Sequence, residues 1–346
     1  MKSLLLSAYN HLEIADTPMP TAGTGEVLVR VEACGICGSD VHGYDGSSGR
    51  RIPPIVMGHE AAGTVAGVGS GVQEYAEGDR VTFDSTVYCG KCAYCAHGEV
   101  NLCENRQVIG VSCGDYRRHG AFAEYVAVPQ RILYHLPEGF SFTEAAMLEA
   151  ASVALHAVRV SEASGGETAL VIGAGMIGLL TLQAARAAGC ARVLIADVDE
   201  TRLELAKQVG ADEVLHCSGA ELSAEVNRLT EGRGADLVYE AVGRNETVTA
   251  AIDCTRKAGT VTLIGNIQPE VTLPLQKVVT RQLRLQGSCA SSGEYPQAIE
   301  LIASGRMQVG PLISAVAPLE EGPRWFERLH AREPNLMKVI LTPRGQ

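Results

Sequence analysis

The sequence predicts an α/β protein in two parts, one of them a doubly wound parallel sheet of six strands. Three observations predict it. Short apolar runs at 169–173, 192–197, 213–216, 237–240, 260–264 and 283–287 alternate with helix-type stretches. Parallel neighbours need such crossovers. The first 140 residues read differently, as short β-rich runs at 27–31, 62–66 and 123–126 among Gly and Pro. The length, 346 residues, exceeds one ordinary core and suggests two.

The elements follow in order. Lys2 and the run Ser3-Leu4-Leu5-Leu6 imitate the start of a signal peptide. The apolar stretch ends at Asn10 and His11, so it reads as a first strand. Ser141-Phe142-Thr143-Glu144 has capping-box form and opens a helix to about residue 160. Ser164-Gly165-Gly166 breaks the chain, and the strand–helix alternation begins. The helix from Thr201 stops at Gly210. The tail beyond residue 288 changes texture again. The expected organisation is therefore a discontinuous domain, 1–150 with 288–346, around a domain at 151–287.

Hydrophobic residues make up 46% and charged residues 20%, which excludes disorder. Lys and Arg number 29 against 40 Asp and Glu, a net charge of −11 that disfavours nucleic acid and anionic membrane as partners. No run of about 18 apolar residues predicts a membrane span. Eleven cysteines are too sparse for a disulfide scaffold, and clustering among them points to metal in a reducing cytoplasm.

The run at 169–173 leads into Gly173-Ala174-Gly175-Met176-Ile177-Gly178, with Asp197 ending the next run 19 residues beyond Gly178. Strand before, helix after and a distal carboxylate make this the Rossmann dinucleotide fingerprint. Gly173 makes the turn, Gly175 admits a pyrophosphate, Gly178 lets the helix pack, and the helix N-terminus faces the phosphates. Asp197 would accept from ribose hydroxyls and repel a 2′-phosphate, which favours NAD over NADP. Strand ends near Val242, Gly265 and Gly287 should line the same cleft, and Arg202 could neutralise its adenosine side. An earlier glycine run, Gly63, Gly67, Gly69 and Gly71, has no following helix and reads as turns and strand packing.

Two cysteine constellations remain. Cys89, Cys92, Cys95 and Cys103 form C-x2-C-x2-C-x7-C, a closed thiolate shell for a structural zinc, with iron–sulfur ligation as the alternative. The other is dispersed. Cys34 and the run Cys37-Gly38-Ser39-Asp40-Val41-His42 precede Gly58-His59-Glu60, a sulfur, nitrogen and oxygen set with room for substrate.

Taken together, Cys37-Gly38-Ser39-Asp40, Gly58-His59-Glu60-x2-Gly63-x5-Gly69-x2-Val72, the four-cysteine lobe, GAGMIG and Asp197 resemble the zinc-dependent medium-chain dehydrogenases. The resemblance covers nearly the whole chain. It implies a GroES-like β-rich catalytic domain formed by both ends, with a Rossmann domain between them. It also implies one catalytic and one structural zinc, NAD, and a dimer or tetramer of identical chains. Cys37 and His59 then match catalytic zinc ligands, and Asp40 the carboxylate that orients His59. Alcohol dehydrogenases carry a further cysteine in the segment matching 147–152. Here stands Glu149, which resembles the polyol branch, including sorbitol and galactitol-phosphate enzymes. There Glu60 and the match of Glu149 compete for the metal. Ala150 replaces the proline that many relatives have. Ser39 and His42 match the groups that relay the alcohol proton to solvent. Arg281 matches an arginine near substrate.

The implied reaction transfers hydride between NAD and a secondary alcohol of a polyol or sugar alcohol. Arg50-Arg51 and Arg117-Arg118-His119 would suit a phosphorylated or acidic one if they line the pocket. The alternatives are a medium-chain dehydrogenase of simple secondary alcohols or threonine-like amino alcohols and, more remotely, a non-catalytic NAD-binding protein.

Overall fold

The computed structural model describes residues 1–114 and 116–343. The chain divides into two compact units. One comprises Met1–Glu149, Tyr295–Ala303 and Ile313–Gln346; the other comprises Ala150–Glu294 and Ser304–Leu312. Residues 288–294 and Ser304–Leu312 thus go with the second unit, where the sequence reading had put them in the first.

The first unit is built on a seven-stranded sheet. Its path runs Leu133–His135, Arg80–Phe83, Glu60–Val68, Glu26–Gly35, Lys338–Thr342, Ile313–Pro318, and Tyr125–Pro129 also pairs with Glu26–Gly35. Glu26–Gly35 shows why this stretch is a strand. Val27, Val29, Val31 and Ala33 are buried, while the residues between them are half exposed, the period-two pattern of a sheet with one covered face. Each buried valine contributes roughly 1.5–3 kcal/mol. Phe83, Phe122 and Phe326 fill the same core. The C-terminal strand returns to pair antiparallel with this one, Ile340 opposite Gly35.

The second unit holds six parallel strands, Thr168–Ile172, Arg192–Ala196, Glu213–Leu215, Ala235–Glu240, Thr255–Leu263 and Arg284–Gly287. Their spatial order is third, second, first, fourth, fifth, sixth. The order reverses between the first and fourth strands, where such sheets bind ligands. Every residue of Ala235–Glu240 is buried, as expected of a central strand covered on both faces.

Some local expectations are corrected. The helix expected from Ser141 forms as two pieces, Phe142–Ala145 and Leu148–Val160. Ser141 does not cap through its side chain, because its hydroxyl pairs with that of Thr143 at 2.7 Å. The strand expected at 123–126 is Tyr125–Pro129, and Ala123 instead bridges to Ser3. The fifth strand of the second unit begins five residues early, at Thr255.

Candidate metal centres and coenzyme loop

In the four-cysteine lobe the sulfurs of Cys89, Cys92, Cys95 and Cys103 all lie within 4.8 Å of one another, with Cys92–Cys95 at 3.4 Å and Cys89–Cys95 at 4.0 Å. Tetrahedral zinc with Zn–S bonds of about 2.3 Å requires sulfurs about 3.8 Å apart. The spacing therefore fits one ion and is too tight for a multi-iron cluster. Main-chain N–H groups of Lys91 and Cys92 hold the Cys89 thiol down to about 6, towards the thiolate a metal needs. Burial and the neighbouring sulfurs push Cys95 up to about 12, so the four do not ionise together without a cation.

The dispersed constellation is assembled by sheet pairing. Gly35 lies opposite Glu60 on the adjacent antiparallel strand. That pairing brings Cys37, just past the end of one strand, to His59 and Glu60 at the start of the other. Their ligand atoms lie within 4.8 Å of one another, and His59 and Glu60 are buried. Gly35 is required by space, since a Cβ there would stand 2.4 Å from Glu60 Oε2.

Cys37 also caps the short helix Gly38–Tyr44. Its sulfur accepts from Ser39 N, and Asp40 accepts from Cys37 N at 3.3 Å. Asp40 is fully buried. Burial opposes its ionisation, but His59 and Arg51 beside it hold it at about 2. His59 Nδ1 lies 3.3 Å from Asp40 Oδ1, an ion contact that is not a formed hydrogen bond.

Glu60 has a second partner. Lys338, buried at the head of the last strand, donates to Glu60 Oε2 at 2.5 Å and to Ile36 O at 3.2 Å. Glu149, in the first turn of Leu148–Val160, falls outside the three-residue cluster but within its field. Burial raises it to about 7. His59 and Lys338 oppose that rise, and Glu60 and Asp84 add to it. Ser39 Oγ accepts from Arg51 at 3.1 Å, and His42 is exposed at the end of its helix, with Nδ1 3.4 Å from Ser47 Oγ.

The coenzyme loop follows the first parallel strand. Gly178 is required by packing, since a Cβ there would meet Gly173 O at 1.7 Å. Gly175 precedes the 12-residue helix Met176–Ala187 and caps it with no side chain, which leaves the approach open. Asp197 accepts from Ala174 N at 2.6 Å and Asp199 N at 3.0 Å, so its carboxylate is fixed against the loop. Each of its oxygens keeps a further lone pair. Val242 and Gly265 meet at the ends of the fourth and fifth strands. A Cβ on Gly265 would lie 2.3 Å from Val242 N. Gly287 ends the sixth strand opposite Leu263.

Residues 23–138 match the model of the alcohol dehydrogenase GroES-like domain, and residues 177–304 that of zinc-binding dehydrogenases. Sorbitol dehydrogenase of Bacillus subtilis is 31% identical over 99% of this chain and 97% of its own. The chain belongs to the zinc-dependent medium-chain dehydrogenases. Two solved structures agree. A protein of Sinorhizobium meliloti described as a zinc-binding dehydrogenase and bound to NADP has a TM-score of 0.90 at 33% identity, with 99% of each chain covered. An alcohol dehydrogenase of Escherichia coli complexed with NADH has a TM-score of 0.91 at 30% identity, with 99% of each covered. The dehydrogenase is thus a zinc- and NAD-dependent oxidoreductase with GroES-like and Rossmann folds.

Several expected groups lie elsewhere. Arg281 donates to the carbonyls of Ile252 and Thr255, where the fifth strand begins, whereas the dinucleotide loop follows the end of the first. Its expected place beside substrate is corrected accordingly. Arg202 is exposed, its Nε 3.5 Å from Asp199 in its own helix turn. Arg117 donates to Pro54 O, Arg118 pairs with Glu26, and His119 Nδ1 accepts from Val56 N, so Arg117 and His119 hold main chain and Arg118 a carboxylate. Arg51 is buried and faces Ser39 and Asp40; Arg50 is exposed.

Sequence reasoning missed Lys338, Asp84 and Glu240. Lys338 had a signal, a lone cation heading the apolar strand Lys338–Thr342. Glu240 is buried and accepts from Val242 N and Gly243 N, which shapes the turn at the end of the fourth strand.

Proposed function

We propose that this dehydrogenase transfers hydride between NAD and a secondary alcohol of a polyol or sugar alcohol. One observation carries the reading. The metal cluster is Cys37, His59 and Glu60, with Glu149 in its field and no second cysteine among its members. The residues fit zinc, being one thiol, one imidazole and a carboxylate within 4.8 Å, a catalytic set that leaves a position for substrate. Zinc held there supplies the Lewis acidity that eases loss of the alcohol proton.

The chain's own groups do the rest. Ser39, half-buried next to Cys37, receives the alcohol proton, and His42, exposed on the same helix, returns it to solvent. Asp40 orients His59. Asp197, fixed by Ala174 N and Asp199 N, accepts from the ribose hydroxyls and disfavours a 2′-phosphate. The Sinorhizobium meliloti relative holds NADP and the Escherichia coli relative NADH, and Asp197 is the residue we read as selecting between the two in this chain.

The resemblance to sorbitol dehydrogenase supports a polyhydroxy substrate. We also read the protein as cytoplasmic, since its clustered cysteines suit metal binding in a reducing compartment, and as a homodimer or homotetramer. Among the described residues no helix is long and apolar enough to cross a membrane. A panel of free and phosphorylated polyols, simple secondary alcohols and threonine, with NAD reduction followed at 340 nm, tests the reading. Fastest turnover of a polyol is expected; preference for a simple alcohol or threonine overturns it. Asp197→Ala should narrow the NAD-over-NADP preference at least about tenfold.

A further inference from the structure

We infer that Arg51 is a positioning residue for the Ser39 hydroxyl, holding its oxygen so that the free lone pair faces the reacting alcohol and the proton, turned away from the guanidinium, faces the relay. The inference rests on the reading of Ser39 as acceptor of the alcohol proton.

Arg51 belongs to a run, Arg50-Arg51, that looks like a solvated pair, yet its side chain is 5% exposed. An unpaired cation buried to that degree costs several kcal/mol, so its surroundings must answer it. One nitrogen, Nη2, stands 3.1 Å from both Asp40 Oδ1 and Ser39 Oγ. Asp40 supplies the countercharge, and the serine adds none. The contact with Ser39 therefore needs its own explanation.

A guanidinium carries donors only, so at this contact Ser39 Oγ must accept. The bond fills one lone pair, and the nearby positive charge turns the hydroxyl hydrogen away. One lone pair and one proton are left facing outward, as a relay requires. A neutral amide in the same place could donate or accept and would leave the hydrogen undirected. Arg51 Nε has no partner, so the side chain is held at its tip and along its stem. The stem lies across Gly43 of the Gly38–Tyr44 helix, where a Cβ would stand 2.6 Å from Arg51 Cγ. Gly43 is thus the opening through which the arginine reaches the serine.

The test uses zinc-loaded enzyme and whichever alcohol the wild type turns over. Arg51→Met should lower kcat about 10- to 100-fold. KM should move far less, two zinc ions per chain should remain, and the solvent deuterium isotope effect on kcat should rise as proton transfer becomes limiting. Arg51→Lys should recover part of the loss. Gly43→Ala, which displaces the stem and leaves the guanidinium intact, should reproduce the signature. Combined with Arg51→Met it should add nothing further.

The idea is overturned if Arg51→Met keeps kcat within twofold. Loss of activity in step with loss of zinc, or multiplication of the two variants' effects, also overturns it. A readout without turnover separates this inference from the substrate reading. The Arg51 guanidinium resonances of the zinc-loaded protein should shift in Ser39→Ala, and unchanged resonances overturn the contact even if every polyol is inert.

Discussion

The two metal clusters are built by opposite means. Four cysteines within 15 consecutive residues make the lobe, and local turns suffice to gather them. Cys37, His59 and Glu60 come from the adjoining ends of two paired strands, and the strand Lys338–Thr342 brings Lys338 to Glu60. The lobe's sulfurs are surrounded mostly by one another and by nearby main-chain N–H groups. The dispersed cluster is buried among charges, Asp40, Arg51, Glu149 and Lys338, each of which changes what the metal ligands can do. A closed local shell serves shape. A ligand set assembled across the fold can leave a position for substrate and be tuned by groups far away in sequence.

Substitution of one ligand from each cluster is the sharpest way to break this contrast. Cys37→Ala should lower kcat by at least about 10³-fold, because the Lewis acid is lost. One zinc should remain by elemental analysis, and the melting temperature should change little. Cys92→Ser should also leave one zinc, but with a clear drop in melting temperature and a smaller loss of activity below the transition. Equal effects of the two on stability would erase the distinction.

Lys338→Met probes long-range tuning. In the zinc-free protein it leaves the Glu60 carboxylate buried without a cation, which costs about 3–5 kcal/mol in denaturant unfolding, and kcat of the zinc-loaded enzyme should also fall. Wild-type stability in this variant would show that the ion contact contributes nothing beyond its own desolvation.

A buried ion cluster without metal serves as the control and has the smallest expected effect. In the second unit Glu294 lies 2.9 Å from His156 Nδ1 and 2.8 Å from Arg159 Nη2, and accepts from Ser292 N at 2.5 Å. Burial opposes its ionisation, but these partners prevail and its carboxyl sits below its ordinary range. A depressed carboxylate adds stability above its unfolded pKa, near 4.5, that is lost as pH falls through the folded value. Glu294→Gln should therefore cost about 1–3 kcal/mol at pH 7 and progressively less below pH 4.5, as read from urea midpoints. A difference that stays constant with pH would contradict it.

The same contrast explains what could be read in advance. The lobe and the dinucleotide loop are contiguous, and their spacing carries their chemistry. The six parallel strands were legible from apolar runs, though the fifth starts earlier because Thr255 and its neighbours extend a pairing that periodicity does not reveal. Arg281 and the conditional reading of Arg117-Arg118-His119 share one physical ambiguity. A basic residue in a loop has the same sequence appearance whether it faces a ligand or the protein's own groups, and here Arg281 and Arg117 meet carbonyls and Arg118 a carboxylate.

By itself, the sequence determined the fold class, the lobe and the coenzyme fingerprint with Asp197, since local spacing and periodicity suffice for each, whereas Cys37 and His59 were expected as zinc ligands only through the family resemblance. Only the tertiary structure decided that Lys338 meets Glu60, that Glu149 is raised by its neighbours, and that Arg51 turns inward to Ser39. Those outcomes depend on strand register, on burial and on a missing Cβ at Gly43, none of which is a property of the residues taken one stretch at a time.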